Sequence, residues 1–273
     1  MTIFQAIVLG IVQGLTEFLP VSSSAHLVLV PYLLKWNIPA DFNFAFDVLV
    51  QLGTLVAVIT YFWKDLLQIT KAMISGIKTR DLFANPDARL GWLVLLATIP
   101  AGFAGLLLKN QVEAAFASPV MTAGFLMVTA LLLLGAEFLG KRTRDLGDLN
   151  WKDALWIGFF QALSIFPGIS RSGSTMAGGM TRNLERPASA RFSFLMSIPI
   201  MLAAGLVSIL DLKDIPNMES LLLPLIVGFI VAAIVGYFAI KWLISYISKH
   251  SFKGFAIYCL AAAWIVLLIT YVR

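Results

Sequence analysis

Two short polar runs hold side chains able to do chemistry in an otherwise greasy chain. The first reads Gln13-Gly-Leu-Thr-Glu17-Phe-Leu-Pro20-Val-Ser22-Ser23-Ser24-Ala-His26, and the second reads Pro167-Gly-Ile-Ser170-Arg171-Ser172-Gly-Ser174-Thr175. Arg171 offers a planar, permanently charged fork matched to the oxygens of a phosphate. The hydroxyls of Ser170, Ser172, Ser174 and Thr175 can donate to the same anion, and a helix resuming after Ser170 would point its amino end at it. In the first run, Gln13 and Glu17 stand four apart and share a helix face. Glu17 suits either a divalent cation or general-base work, and Gln13 can ligate weakly but cannot take a proton. His26 is of the side-chain type suited to exchange protons at neutral pH, and Ser22, Ser23 and Ser24 before it are candidate nucleophiles or phosphate donors.

The setting makes these residues costly. Of 273 residues, 59% are hydrophobic and 13% charged, against about 25% charged in an ordinary soluble domain. With a mean hydropathy of +0.88, this composition describes a polytopic membrane protein, where buried ionisable groups mark function by default. A guanidinium at the tip of a hairpin, flanked by small polar residues, has no apolar stem to carry it to the headgroups and needs an acid or a bound anion as partner. The first twenty residues read as part of the fold rather than a cleavable leader, because they lack a basic start and Gln13 and Glu17 interrupt the apolar stretch. The single cysteine, Cys259, excludes an internal disulfide and a thiolate metal cluster and reads as a packed apolar residue.

Full spans are expected near residues 44–63, 90–108, 119–139, 192–210, 222–240 and 253–271, each close to the roughly 20 residues a crossing helix needs. Residues 3–35 and 154–180 read as helical hairpins broken at Pro20 and at Pro167-Gly168. The stretches 64–89, 141–152, 182–191 and 241–253 carry fifteen of the twenty Lys and Arg residues. Only Lys35, Lys109, Lys213 and Arg273 fall on the other side, and Arg171 lies within the second hairpin. The positive-inside rule makes the basic side cytoplasmic and puts both termini outside. The net charge of +5 is thereby a matter of membrane topology and implies no nucleic-acid partner.

The two runs are relatives. An offset of 148 superimposes Gly10 on Gly158, Gln13 on Gln161, Ser22 on Ser170 and Ser24 on Ser172. The expected architecture is therefore an all-α polytopic membrane protein, a single domain made of repeat 1 (1–140) and an inverted repeat 2 (150–273), with six transmembrane helices and two re-entrant helical hairpins. With three crossings per copy the second is inserted upside down, so the hairpin tips can meet near mid-membrane and line one hydrated pocket. Gly10 to Gly14 is a close-packing pattern, Asp47 and Gln51 share a face that either lines the pocket or bonds between helices, and Gln161 is a candidate pocket wall.

These motifs resemble the undecaprenyl-pyrophosphate phosphatase family of bacterial membranes, the bacitracin-resistance phosphatases. Its first signature, (Glu/Gln)-x-x-x-Glu leading into Pro-Val-Ser-Ser and a histidine, matches Gln13 to His26, and its second, Pro-Gly-x-Ser-Arg-Ser-x-x-Thr, matches Pro167 to Thr175. The resemblance implies hydrolysis of undecaprenyl diphosphate to the monophosphate at the outer face of the cytoplasmic membrane, with a polyprenyl diphosphate substrate, lipid around it and room for a homodimer. It implies Glu17 as the essential carboxylate, Arg171 as the phosphate clamp, and His26 with Ser23 as proton-transfer and nucleophile pair. The family's phosphate-binding hydroxyls would be Ser170, Ser172 and Thr175, to which the residues themselves add Ser22 and Ser174, and a divalent cation, Mg2+ or Ca2+, would sit on Glu17 and Gln13. Because Gln13 takes the first motif position, Glu17 is the single carboxylate of that motif. The competing expectation is a transporter or flippase of an anionic lipid, since inverted repeats and broken helices also serve alternating access.

Overall fold

The computed structural model describes residues 1–83, 85–211 and 222–272, and among these every regular element is a helix. In chain order they are α1 (Ile3–Phe18), α2 (Ser23–Leu33), α3 (Ala40–Tyr61), α4 (Trp63–Thr79), α5 (Pro86–Leu107), α6 (Lys109–Phe116), α7 (Pro119–Leu139), α8 (Trp151–Leu163), α9 (Arg171–Thr181), α10 (Arg186–Asp211), α11 (Leu222–Ile247) and α12 (Lys253–Val272). Six of them, α3, α5, α7, α10, α11 and α12, contain stretches long and apolar enough to cross a membrane. These correspond to the six spans expected from the sequence, and the protein is a multi-pass membrane protein. Lys213 and Arg273, two of the basic residues assigned to the outer side, lie outside the described residues.

The helix pairs α1/α2 and α8/α9 form the hairpins, and local chemistry explains their breaks. α1 opens on a capping box, with Thr2 accepting from the Gln5 amide and Gln5 accepting from the Thr2 amide. It stops where Leu19 turns extended (φ −63°, ψ 141°), as a residue before proline must, since the Pro20 ring excludes the helical region. α2 then starts on Ser22, whose hydroxyl accepts from the Ala25 amide at 3.3 Å. α8 opens on Asn150 with a reciprocal bond from Asp153. After Pro167 the chain passes through Gly168 at φ +106°, the left-handed region that favours glycine, and α9 starts on Ser170, which accepts from the Gly173 amide at 3.0 Å.

Each hairpin packs on the other half of the chain. α1 lies along α11, α8 along α5, and α7 along α12. Gly10 and Gly158, the residues matched by the offset, do the same job in these seams. A β-carbon on Gly10 would stand 2.9 Å from the Gly228 carbonyl oxygen, and one on Gly158 would stand 2.6 Å from that of Ala97. Both helices therefore approach their partners at backbone contact, which the Gly10–Gly14 pattern foretold.

At the basic end, buried acids tie elements together. Glu137 accepts from Arg142 (2.7 Å), from Arg186 (2.6 Å) and from the Phe252 amide (2.8 Å), joining α7 to the starts of α10 and α12. Asp153, fully buried, accepts from Arg144 and Arg182, both at 2.7 Å, and so fixes the foot of α8 against the end of α9. Burial opposes the Asp153 carboxylate, yet the bonds from Arg144, Arg182 and the Asn150 amide hold its pKa below the ordinary carboxylate range. One element differs from the sequence expectation. Residues 64–79, read as part of the basic stretch after the first full span, lie in the amphipathic helix α4, which buries Ile69 and Gly76 on one face with Leu66 and Met73 beside them. Its lysines occupy the opposite face, so a count of charges alone hides the 3.6-residue period.

Candidate active site

The turns of the two hairpins meet. Ser172 Oγ donates to the Leu19 carbonyl across the tips at 3.1 Å, and beside this contact the Arg171 Nη2 group donates to Glu17 Oε1 in a close ion pair. The two side chains are 14% and 7% exposed, so each neutralises a charge that burial would otherwise penalise. Glu17 accepts two further bonds on Oε2, from Ser23 Oγ at 2.6 Å and from Gln13 Nε2 at 2.9 Å. Thr54 of α3 accepts a longer bond from the same Gln13 nitrogen. Thr129 of α7 holds the second tip by accepting from the Ser170 amide and donating to the Gly168 carbonyl, both at 2.8 Å.

The runs also repeat one bond. Ser22 Oγ and Ser24 Oγ stand 3.1 Å apart, and so do the matching Ser170 Oγ and Ser172 Oγ. In each run the first of these serines is also the helix cap. Ser22 does so at φ 70°, a strained backbone for a residue with a side chain.

Beside the ion pair lies a cavity of about 740 Å³, within the range of small-molecule sites, about 300–1,000 Å³. Gln13, Glu17, Ser22, Ser23 and Ser24 line it from the first run, and Ser170 and Arg171 from the second. Asp47 and Gln51 of α3, Gln161 of α8 and Ser164 just after it complete the polar wall, and the rest is apolar, mostly from α5, α6 and α10. Several buried polar atoms here lack a protein partner among the described residues: Arg171 Nη1, Gln13 Oε1, Asp47 Oδ1 and both amide atoms of Gln161. In a folded interior such atoms call for an occupant.

The remaining sequence candidates turn elsewhere. Ser174 and Thr175 bond back to the Arg171 carbonyl, and Thr175 also pairs with Ser193 Oγ at 2.6 Å. His26 sets Nδ1 2.7 Å from the Ser22 carbonyl and Nε2 2.7 Å from the Tyr258 hydroxyl, with its ring stacked on Tyr258 of α12. The structure thus brings Ser23 to Glu17 rather than to His26. Cys259 is buried beside the first turn, near the Pro20 carbonyl.

Residues 6–265 of the chain match the family described as bacitracin resistance protein BacA. The chain belongs to that family. Among its BacA-like relatives, an undecaprenyl-diphosphatase of Chloroherpeton thalassium is 44% identical over 266 residues, covering 94% of this chain and 93% of that protein. One of Moorella thermoacetica is 42% identical over 273 residues, 100% of both. One of Desulforudis audaxviator is 44% identical over 270 residues, 99% of this chain and 98% of the relative.

Whether this BacA site suits a divalent cation can be asked of its oxygens. No group of three or more His, Cys, Asp or Glu gathers around one point among the described residues, so there is no all-protein cage. Gln13 Oε1 is nevertheless buried, unpaired and on the cavity wall, next to a carboxylate. One carboxylate and one amide oxygen fit an ion that takes its other ligands from water and from substrate phosphates, the usual habit of Mg2+. Thr54, Thr129, Tyr258 and Met201, whose sulfur accepts from Arg171 Nη2 at 3.3 Å, carry no motif of their own and reach the runs only through tertiary packing, so the sequence does not mark them.

Proposed function

We propose that the protein is an undecaprenyl-diphosphatase that hydrolyses undecaprenyl diphosphate to undecaprenyl phosphate and phosphate at the outer face of the bacterial cytoplasmic membrane, with both termini outside. The observation that carries the reading is the meeting of Glu17, Arg171 and Ser23 on one cavity wall, two from the first run and one from the second.

In this reading the diphosphate enters beside the ion pair. Arg171 turns its free Nη1 toward the phosphate oxygens, while Ser22 and Ser170 add hydroxyl donors from cap positions that fix their direction. Ser23 attacks the terminal phosphorus. Its proton passes to Glu17, with which it already shares a 2.6 Å bond, and the bridging P–O bond breaks so that its oxygen leaves on the lipid monophosphate. Water then cleaves the phosphoserine and regenerates the hydroxyl. The Glu17 carboxylate rather than the His26 imidazole is the base in reach. Glu17 and Gln13 Oε1 would also hold a divalent cation, Mg2+ or Ca2+, whose chemistry there is to offset phosphate charge. The isoprenoid tail leaves along the apolar wall between α5 and α10, where Gly102, Gly105, Ala203 and Ala204 leave room.

The test is phosphate release from a polyprenyl diphosphate by the purified protein in detergent. Release there cannot come from transport, since no second compartment exists, and failure to release phosphate would end the reading.

A further inference from the structure

Gln161 sits where the repeat offset puts the counterpart of Gln13, and it is 1% exposed. Its environment differs in one decisive way. Four residues after Gln13 stands Glu17, which takes the Gln13 amide hydrogen at 2.9 Å. Four residues after Gln161 stands Ile165. The second run has no acid for its glutamine to orient, and neither Gln161 Nε2 nor Oε1 has a partner among the described residues. The side chain nonetheless lines the same cavity as Arg171 and Ser23. A buried amide with both ends unmade destabilises the free protein, and the alternative of an apolar residue at this position was open to the sequence.

We infer that Gln161 is a substrate-contacting residue: its amide nitrogen donates to a phosphate oxygen of the diphosphate, and its amide oxygen accepts from a water that enters with the headgroup. The first glutamine commits its amide nitrogen to the base and the second keeps its nitrogen for the ligand, which assigns the two related positions different work. This rests on the phosphatase reading of the cavity.

The experiment compares wild type with Gln161→Leu and Gln161→Met in detergent. It measures phosphate release from farnesyl diphosphate and the shift in unfolding temperature caused by the non-hydrolysable farnesyl methylenediphosphonate. Both variants should unfold, without ligand, at or above the wild-type temperature, because two unpaired polar atoms are gone. Their kcat/KM should fall about ten- to a hundredfold, the range for a hydrogen bond to a charged group, and the diphosphonate shift should shrink. A kcat/KM within twofold of wild type with a full diphosphonate shift would overturn the inference. A lowered unfolding temperature accompanying lost activity in both variants would overturn it too, by making the amide a structural group. If wild type itself released no phosphate, the phosphatase reading would fall, whereas normal turnover by wild type and variants alike removes only the role of Gln161.

Discussion

Replacing Arg171 with Ala separates the clamp from the fold. In the free protein Arg171 has one nitrogen on Glu17 and the other unpaired toward the cavity. If the guanidinium makes two charge-assisted bonds to the substrate, each worth about 1.5–3 kcal/mol, its loss removes about 3–6 kcal/mol of transition-state stabilisation. At about 1.4 kcal/mol per tenfold, kcat/KM should fall by about two to four orders of magnitude. The fold should suffer less. Removing one member of a buried pair costs about 3–5 kcal/mol when the survivor is left bare, but Glu17 keeps the Ser23 and Gln13 bonds at 2.6 and 2.9 Å and faces a cavity, so the expected cost is about 1–3 kcal/mol. Adding Glu17→Gln to the Ala variant should recover that stability and none of the activity. Arg171→Lys should fall between, because a point charge remains where a fork is lost. The assay is phosphate release with thermal unfolding measured on the same detergent samples. Turnover by Arg171→Ala within about tenfold of wild type would refute the clamp.

Three further outcomes follow from the same geometry. Ser23→Ala should lower kcat by about 10³-fold or more if serine is the nucleophile, and phosphate release at wild-type rates would assign the attack to water. His26→Ala and Tyr258→Phe act on one chain of contacts that reaches the cavity only through the backbone of the strained Ser22, so each should cost about tenfold or less in kcat/KM and the double variant no more than His26→Ala alone; additive losses would show independent roles. Asp153→Ala should lower the unfolding temperature by freeing Arg144 and Arg182, at about 3 kcal/mol, since both arginines remain partly solvated. The pKa of Asp153 is held below its ordinary 3.8, so its stabilisation is complete at neutral pH and is lost as the pH falls through and below that value. Wild type should therefore lose stability below about pH 4 more steeply than the variant, and parallel curves would contradict this.

Much of this arrangement is legible in the residues. Six apolar stretches give the spans, and Pro20 and Pro167-Gly168 give the breaks, because proline and a positive-φ glycine act on the backbone locally. The need of a buried Arg171 for an acid or a bound anion makes Glu17 a candidate partner from the residues alone, since the cost of an unpaired charge is a property of the side chain. What the sequence does not reveal is direction. Ser174 and Thr175 read as phosphate donors by type, but within a helix a hydroxyl can bond back to the carbonyl three or four residues earlier, and both do so. The resemblance implies His26 as the partner of Ser23, whereas the position of α12, which delivers Tyr258 to the imidazole, depends on long-range packing. For the same reason Thr129, which holds the second tip from α7, has no signature in its own neighbourhood.

The central claim is that the two polar runs form one catalytic pocket. An experimental structure with farnesyl methylenediphosphonate bound tests it most directly. The account requires the terminal phosphonate within hydrogen-bond distance of Arg171 and Ser170 from the second run and of Ser22 or Ser23 from the first. A ligand held by one run alone, or Glu17 and Arg171 facing separate cavities, would contradict it.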